Sequence, residues 1–347
     1  MMKPTLSVIM TNYNHAQFLL ESVQALLDQS YPFMEFIIID DASTDNSVAI
    51  LEQFVHTDSR IRLICNEHNK GAVYNYNYLL ELASGDYVYD CAADDKVLPG
   101  LFEKSMDLLA QYPQAGLCST LSLIMSERGE PNGIIPTLIV ARQSIFLSPQ
   151  KSLQTLNRYG SCFTGNTVIY QRQALIEAGG FIQELGSYCD GFIQEVIALR
   201  HGACFIPESL ACWRRMETGY AATTYANFER SLAVLKNATQ LIRSNYGDLF
   251  PSYYINTWLK RHLFYSNLST WYKVPEEQKQ FIMQSSRLLH FIGNTKPWLA
   301  RLLMTGVQLS TLIQAIFVRL YLLTRFFFSY NQKLFFLKML FRRFIFR

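Results

Sequence analysis

Short apolar runs alternate with segments of helical spacing over the first 118 residues of the chain. Runs of buried-strand character are separated by longer segments in which apolar residues recur every three or four positions. The predicted strands are Leu6–Met10, Glu35–Ile39, Arg60–Cys65 and Tyr87–Tyr89, and the predicted helices are Ala16–Gln29, Thr44–Val55, Gly71–Ala83 and Leu98–Gln111. Such β-α alternation predicts an α/β fold with a mainly parallel sheet, flanking helices and right-handed crossovers.

The pattern becomes less regular after residue 118. Residues 119–160 contain Gly129, Pro131, Gly133 and Pro136, and we interpret them as an irregular surface excursion near an acceptor site. The pattern then predicts a strand at 165–170, helices at 172–178 and 190–200, and a short strand at 204–207. From about residue 226 the chain is helical and apolar, which predicts a domain over residues 1–225 and a helical extension over residues 226–347.

Polar side chains follow three of the predicted strands directly. Asp40 and Asp41 follow the second strand, Asp94 and Asp95 follow the fourth, and the segment 11–14 follows the first. Ligands of open α/β sheets bind outside the carboxyl ends of the strands, so these groups are expected at one edge. Carboxylates there can accept hydrogen bonds from a base or a ribose, or hold Mg²⁺ or Mn²⁺ beside substrate phosphates. This edge therefore suits a nucleotide diphosphate with a divalent cation.

The charge is distributed unevenly along the chain. Residues 1–230 carry 15 basic and 25 acidic side chains (15 − 25 = −10), whereas residues 231–347 carry 16 and 3 (16 − 3 = +13). The basic part is also rich in Phe and Leu, a mixture that favours an anionic membrane surface over nucleic acid. Seven cysteines without a C-x-x-C pair indicate reduced thiols and a cytoplasmic setting.

The C-terminal tail contains an uncharged run of 17 residues, Leu302–Val318, followed by aromatic and basic residues. That length lies at the lower limit for a membrane-spanning helix, and the run includes polar residues. For the segment 302–328 we therefore favour in-plane or shallow insertion, with a spanning helix as the alternative. The protein is expected to be peripheral on the inner face of the cell membrane. A homo-oligomer interface, or a helix folded onto the catalytic domain, is the other interpretation of the tail.

Several motifs in combination resemble the family 2 glycosyltransferases of the GT-A fold that make bacterial cell-surface polysaccharides. They are Ser7–Asn14, Ile38–Asp45, Gly71 with Asn77, Asp94-Asp95 with Pro99, Gly179-Gly180-Phe181, Asp190, Pro207–Leu210 and Trp213-Arg214-Arg215. The resemblance covers roughly residues 5–220. It implies a GT-A domain and the inverting transfer of a sugar from a nucleotide-diphosphate sugar, a UDP-sugar, to a saccharide or lipid-linked saccharide.

The resemblance also implies roles for individual residues. It places Thr11, Asn12, Tyr13, Asp41, Asn77 and Asp94 at the nucleotide, with Tyr13 stacking on the base and Asp41 accepting its N–H. Asp95, with Asp94, would ligate the metal. Asp190 would be the base that takes the proton of the acceptor hydroxyl. Arg214 or Arg215 would contact the diphosphate, with a surface cation or a structural ion pair as the alternative.

The chain departs from the family pattern at three positions. Ala92 replaces the first aspartate of an Asp-x-Asp-Asp cluster, so metal binding would depend on Asp95, Asp94 and diphosphate oxygens. Tyr76 replaces an arginine, and Met216 a histidine. A processive polysaccharide synthase and an inactive nucleotide-sugar-binding module remain alternatives. A nucleotidyltransferase would need a basic glycine-rich loop that segment 11–15 does not have.

Overall fold

A computed structural model describes residues 3–134, 139–216 and 228–259 of the chain. All described residues belong to one compact unit within Met1–Val274.

The described part contains ten strands and nine α-helices, one of which spans residues 252–259. The strands are β1 (Leu6–Asn12), β2 (Met34–Asp40), β3 (Ile61–Cys65), β4 (Tyr87–Ala92), β5 (Lys96–Val97), β6 (Leu117–Met125), β7 (Pro131–Ile134), β8 (Ile145–Leu147), β9 (Ile169–Gln171) and β10 (Ala203–Arg214). The helices are α1 (Ala16–Leu27), α2 (Ser47–Thr57), α3 (Ala72–Leu82), α4 (Leu101–Gln111), α5 (Pro149–Tyr159), α6 (Arg172–Glu177), α7 (Cys189–His201) and α8 (Phe228–Asn245). Two 3₁₀ helices span Gly165–Thr167 and Gln183–Tyr188, and residues 252–259 are helical.

The strands form one mixed sheet in the order β3-β2-β1-β4-β9-β6-β10-β5, with β7 beside β6 and β8 beside β10. β3, β2, β1 and β4 are mutually parallel, and β10 runs parallel to β6. β9 lies antiparallel between β4 and β6. In the register, Thr11 lies opposite both Ile39 and Ala92, and Asn12 lies opposite Asp40. The carboxyl ends of β1, β2 and β4 therefore meet at one edge, as the sequence predicts.

Alternating side chains of the central strands enter two separate cores, because successive residues of a strand point to opposite faces. Val8, Met10 and Ile38 pack with residues of α1, α2 and α4. Ile9 and Ile39 pack on the other face with residues of α3, α5, α6, α7 and α8. Both faces are covered, which explains the continuous apolar runs of β1 and β2.

Residues 228–259, which follow β10 in the chain, pack into the core that contains α7. Tyr254 and Trp258 are each 1% exposed. The Tyr254 hydroxyl donates to Glu195 Oε2 over 2.9 Å, and Trp258 Nε1 donates to the Tyr188 hydroxyl over 3.0 Å. Residues 228–259 thus pack onto the helix that carries Asp190, although the predicted boundary assigns them to the extension.

The prediction for residues 119–160 is wrong. β6 is a nine-residue strand inside the sheet, and the segment also contains β7, β8 and α5. Ser148 caps α5 by accepting a hydrogen bond from Lys151 N, and Pro149 occupies the first turn.

The interpretation of residues 302–328 lies outside the described residues. Among the residues that the structure does describe, no helix is long and apolar enough to cross a membrane.

Candidate active site

The end of β1 is joined to the end of β2 by a buried polar network. Asn12 Nδ2 donates to Asp40 Oδ2 over 2.7 Å, and Asp40 also accepts hydrogen bonds from the Ser43 backbone N–H and hydroxyl. Asn12 and Asp40 are fully buried. These two buried side chains therefore hold the loop after β2 in place from the interior of the protein. A direct nucleotide contact of Asn12 stays a prediction.

Asp41, also at the end of β2, accepts hydrogen bonds from the segment between β3 and α3. Its Oδ1 accepts from Asn66 Nδ2 at 2.8 Å and from Lys70 N at 2.9 Å, and its Oδ2 accepts from Gly71 N at 2.9 Å. Burial raises the pKa of Asp41, but these hydrogen bonds outweigh it and leave the pKa below its usual value. Asp41 is thus an ionised carboxylate at neutral pH that fixes the loop before α3. Its bond to a base N–H stays a prediction.

Thr11 and Tyr13 lie on the solvent side of the same edge. Thr11 is half-buried, and Tyr13 is 45% exposed. The neighbouring Asn14 and Ala42 have left-handed backbone φ of 56° and 62°. Non-glycine residues rarely adopt that conformation, and such residues are concentrated at ligand sites. Because its side chain is exposed, the Tyr13 ring is available for stacking on a base.

Asp94 and Asp95 follow β4. Asp95 is 9% exposed, and its Oδ1 accepts a hydrogen bond from Arg214 N over 2.8 Å; Asp94 is half-buried. Burial and the neighbouring Asp94 charge raise the pKa of Asp95 well above its usual value. A bound cation would offset both effects. In the described ranges, no group of three His, Cys, Asp or Glu residues could hold a metal ion.

Arg214 and Arg215 have different environments. Arg214 is 3% exposed and donates from Nε to the Asp94 carbonyl, from Nη1 to the Glu127 carbonyl and from Nη2 to Glu21 Oε2. The structure therefore supports the alternative interpretation of Arg214 as a structural ion pair rather than the predicted diphosphate contact. Arg215 is exposed, and its predicted contact with the diphosphate stays a prediction.

Asp190 lies in the first turn of α7 and is half-buried. Its Oδ1 accepts a hydrogen bond from Gly191 N over 2.7 Å. Burial raises the pKa of Asp190, and a raised pKa makes a carboxylate a stronger base. Glu195, on the same helix, is 2% exposed and accepts a hydrogen bond from Tyr254. Glu184, another carboxylate near Asp190 in the sequence, is exposed.

The 3₁₀ helix Gly165–Thr167 connects the surroundings of Asp190 with those of Asp95. A β-carbon built on Gly165 would lie 2.5 Å from Asp190 Oδ2. The adjacent Asn166 side chain is near enough to Asp95 to lower its pKa, against the rise that burial causes, although neither polar atom of this buried amide makes a hydrogen bond within the described part of the chain. The Asn166 carbonyl accepts a hydrogen bond from the Tyr89 hydroxyl over 2.8 Å, which anchors the turn to β4. This short turn thus lies against the predicted base Asp190 through Gly165 and acts on the predicted metal ligand Asp95 through Asn166.

Asn77 makes contacts that its motif does not indicate. Its Nδ2 donates to the Phe181 carbonyl over 2.7 Å, and its Oδ1 accepts from Phe181 N over 2.9 Å. A β-carbon at Gly180 would lie 2.7 Å from Asn77 Oδ1. The Asn77 and Gly179-Gly180-Phe181 motifs are therefore two halves of one contact between α3 and the segment before α7. A nucleotide contact of Asn77 stays a prediction.

Three residues of this region are missing from the sequence prediction. Asp90 interrupts the otherwise apolar run of β4, and that charge was a signal that could have been used. Gly165 and Asn166 lie 25 and 24 positions before Asp190 and carry no local motif. Their proximity to Asp190 and Asp95 depends on β9 and α7 folding together.

Residues 7–177 match the pattern of the family described as Glycosyl transferase family 2. The chain is 38% identical over 129 residues to TuaG of Bacillus subtilis, provisionally named a teichuronic acid biosynthesis glycosyltransferase (37% of this chain, 51% of TuaG). It is 38% identical over 127 residues to EpsE of Bacillus subtilis, provisionally named a glycosyltransferase (36% of this chain, 46% of EpsE). The chain thus spans about half the length of these curated relatives.

Solved structures resemble the chain over a longer range. The crystal structure of S. aureus TarS 1–349 in complex with UDP-GlcNAc matches with a TM-score of 0.65 and 16% identity, over 88% of this chain and 91% of TarS. At that identity the likeness shows the fold alone. The sheet and its flanking helices are therefore those of a GT-A glycosyltransferase domain. Residues 7–177 of the chain belong to glycosyl transferase family 2, and the family resemblance is confirmed.

Proposed function

We propose that the protein is an inverting glycosyltransferase that moves a sugar from a nucleotide-diphosphate sugar to a saccharide or lipid-linked saccharide hydroxyl. One observation carries this proposal. Gly165 of the turn Gly165–Thr167 lies against the half-buried carboxylate of Asp190, and Asn166 of the same turn acts on Asp95, which supports Asp190 as the base and Asp95 as the metal ligand of one site. A transferase of this type needs both features close together, because the acceptor is deprotonated while the diphosphate leaves.

The bonds change in one displacement. The acceptor hydroxyl gives its proton to an Asp190 carboxylate oxygen as the hydroxyl oxygen forms a bond to the anomeric carbon. The bond from that carbon to the diphosphate oxygen breaks, and the electron pair leaves with the diphosphate. Attack on the face opposite the leaving group inverts the anomeric configuration. Holding Asp190 and the donor in a fixed geometry is a large part of such catalysis.

The residues present fit a divalent cation. Asp95 and Asp94 would hold Mg²⁺ or Mn²⁺, because both are hard cations that favour carboxylate oxygens and shared phosphate oxygens. When bound, the cation would neutralise charge on the departing diphosphate.

The donor and the acceptor are proposed from chemistry and from relatives. TarS, which shares the fold, is recorded with UDP-GlcNAc, so UDP-sugars are the first donors to test. TuaG is provisionally named for teichuronic acid biosynthesis, which supports a saccharide acceptor. The acid-poor, Phe-rich and basic sequence after residue 230 would hold the enzyme on the inner face of the membrane, beside a lipid-linked acceptor.

A screen of nucleotide sugars tests this function. The full-length protein is incubated with UDP-, GDP- and dTDP-sugars, with Mg²⁺ or Mn²⁺ or with excess chelator, and nucleoside diphosphate release is measured. We expect metal-dependent release from a UDP-sugar and its loss in Asp95→Asn, because a neutral amide binds a hard cation poorly. Asp107→Asn, an exposed carboxylate on α4, is the matched control. Full activity of Asp95→Asn, or of wild type in chelator, would contradict the metal assignment.

A further inference from the structure

Two cations flank Asp95, the carboxylate that we assign to the metal. Lys96 follows it directly in the chain and lies on β5, and Arg214 is the last residue of β10. Arg214 N donates to Asp95 Oδ1 over 2.8 Å, and Arg214 Nε donates to the Asp94 carbonyl over 2.7 Å. Arg214 thus contacts both residues of the Asp94-Asp95 pair, so the position of the arginine helps to set the position of the pair.

Glu21 of α1 binds both of these cations. Its Oε2 accepts a hydrogen bond from Arg214 Nη2 over 2.5 Å, and its Oε1 accepts one from Lys96 Nζ over 2.8 Å. Across the described ranges, Glu21 is the one carboxylate that forms an ion pair with either cation. The hydrogen bond from Lys96, followed by that from Arg214, lowers the pKa of Glu21 against the opposite effect of burial. Glu21 is therefore ionised at neutral pH.

The burial of Arg214 makes this partner important. Arg214 is 3% exposed, and its guanidinium lies 4.6 Å from the centre of the Phe18 ring on the same helix as Glu21. Its Nη1 donates to the Glu127 carbonyl, between β6 and β7. Carbonyl groups accept hydrogen bonds but carry no net charge, and a buried ion that loses its partner is strongly destabilising. The Glu21 carboxylate therefore holds the guanidinium at this place.

The charge of Glu21 also matters to a cation at Asp95. Two positive side chains beside a metal ligand oppose the arrival of a divalent cation, since like charges repel strongly at short range inside a protein. Glu21 offsets one of these charges and directs both side chains to α1. Without it, Lys96 and Arg214 would be available to pair with the neighbouring carboxylates and compete with the metal.

We propose that Glu21 is a positioning residue for the metal site. It pairs with Arg214 and Lys96, holds the Asp94-Asp95 pair in place through them, and keeps both carboxylates available to the cation. Glu21 acts through these two partners and not on the reacting atoms. This inference rests on the proposed function, because a departing diphosphate is what gives the site a need for the cation.

Amide hydrogen exchange tests the positioning role without metal or turnover. The Arg214 N–H group donates to Asp95, so its exchange rate reports how often that contact opens. In full-length Glu21→Gln, which keeps the shape of the side chain but not its charge, this amide should exchange about tenfold faster, the effect of one charge-assisted hydrogen bond. Asp58→Asn is the matched control, because Asp58 pairs with Arg60 before the amino end of β3. An unchanged rate in Glu21→Gln would overturn the proposal.

Manganese binding tests the connection to the metal site. The EPR signal of free Mn²⁺ gives its Kd in the presence of UDP, and turnover is measured over the same Mn²⁺ concentrations. In Glu21→Gln the Kd for Mn²⁺ should rise about tenfold, as is typical when a residue that supports a metal ligand is removed. At saturating Mn²⁺ the kcat should stay within about twofold of wild type, because the reacting groups are intact. Asp58→Asn should match wild type in both measurements.

The two measurements separate this inference from the function on which it rests. An unchanged Kd for Mn²⁺ in Glu21→Gln, or a kcat that saturating Mn²⁺ does not restore, would overturn the positioning role. A wild-type protein that binds no Mn²⁺ with UDP would instead refute the metal assignment of the proposed function. Hydrogen exchange of the Arg214 amide would still decide whether Glu21 holds the Asp94-Asp95 pair.

Discussion

A β-carbon built on Gly165 would lie 2.5 Å from Oδ2 of Asp190. Real β-carbons essentially never approach an oxygen so closely, so a larger residue at position 165 must displace the carboxylate. Gly165 does not have a left-handed φ, which makes this requirement one of space rather than of backbone conformation. Gly165 therefore leaves the space that the carboxylate of Asp190, the proposed base, occupies.

Gly165→Ala should reduce kcat by about 10²-fold or more and leave the donor Kd nearly unchanged, because displacement of a reacting group by about 1 Å can cost that much. Turnover and nucleotide binding are measured on the same preparation. Gly247→Ala is the matched control, since a β-carbon there would meet its nearest atom at 3.5 Å. A Gly165→Ala enzyme with wild-type kcat would show that Asp190 does not need this position.

Arg214 and Arg215 offer a matched pair of neighbouring cations with different expected roles. Arg214→Ala should lower the free energy of unfolding by about 3 kcal/mol, because it leaves Glu21 and several carbonyl groups without their buried partner. Arg215→Ala should leave stability within about 0.5 kcal/mol and weaken UDP binding about tenfold, the value of one charge-assisted hydrogen bond. Denaturant unfolding and calorimetry measure the two effects. The reverse pattern would assign the diphosphate contact to Arg214.

Removal of residues 302–347 should release the protein from membranes without destroying the nucleotide site. The tail carries no acidic residue, and its basic and aromatic residues suit an anionic interface. Sedimentation with anionic vesicles at low and high salt measures the effect. Interfacial binding should weaken with salt, whereas a spanning helix should resist it. A full-length protein that ignores vesicles at low salt would rule out the membrane role.

The parallel part of the fold follows from the sequence because its signals are local. Each of β1, β2 and β4 is an apolar run closed by polar residues, and the intervening helices have clear periodicity. β6 was missed because it contains Ser119, Thr120 and Ser122, which are typical of loops. In the structure Ser119 and Thr120 are buried and form hydrogen bonds with Thr167. A partner 47 residues away cannot be inferred from local pattern.

In the candidate site, too, residues marked by a sequence motif could be predicted, whereas contacts between residues far apart in the chain could not. Asp94-Asp95 and Asp190 are predicted because a motif marks them, and their roles stay predictions. Arg214 looked like a substrate-binding cation, yet its partners Glu21 and Glu127 lie 193 and 87 residues away. The contact between Gly165 and Asp190 likewise exists only once β9 and α7 are packed together.

Asp190→Asn is the variant that tests the central claim most directly. The account predicts a fall in kcat of about 10² or more, because general-base catalysis commonly contributes that factor, with the donor Kd unchanged within about twofold. Turnover of the preferred nucleotide sugar and its Kd are measured for wild type, Asp190→Asn and the buried structural control Glu195→Gln. Loss of turnover with donor binding retained, in Asp190→Asn but not in Glu195→Gln, would identify Asp190 as the base. Wild-type turnover in Asp190→Asn, or collapse of donor binding, would contradict the account.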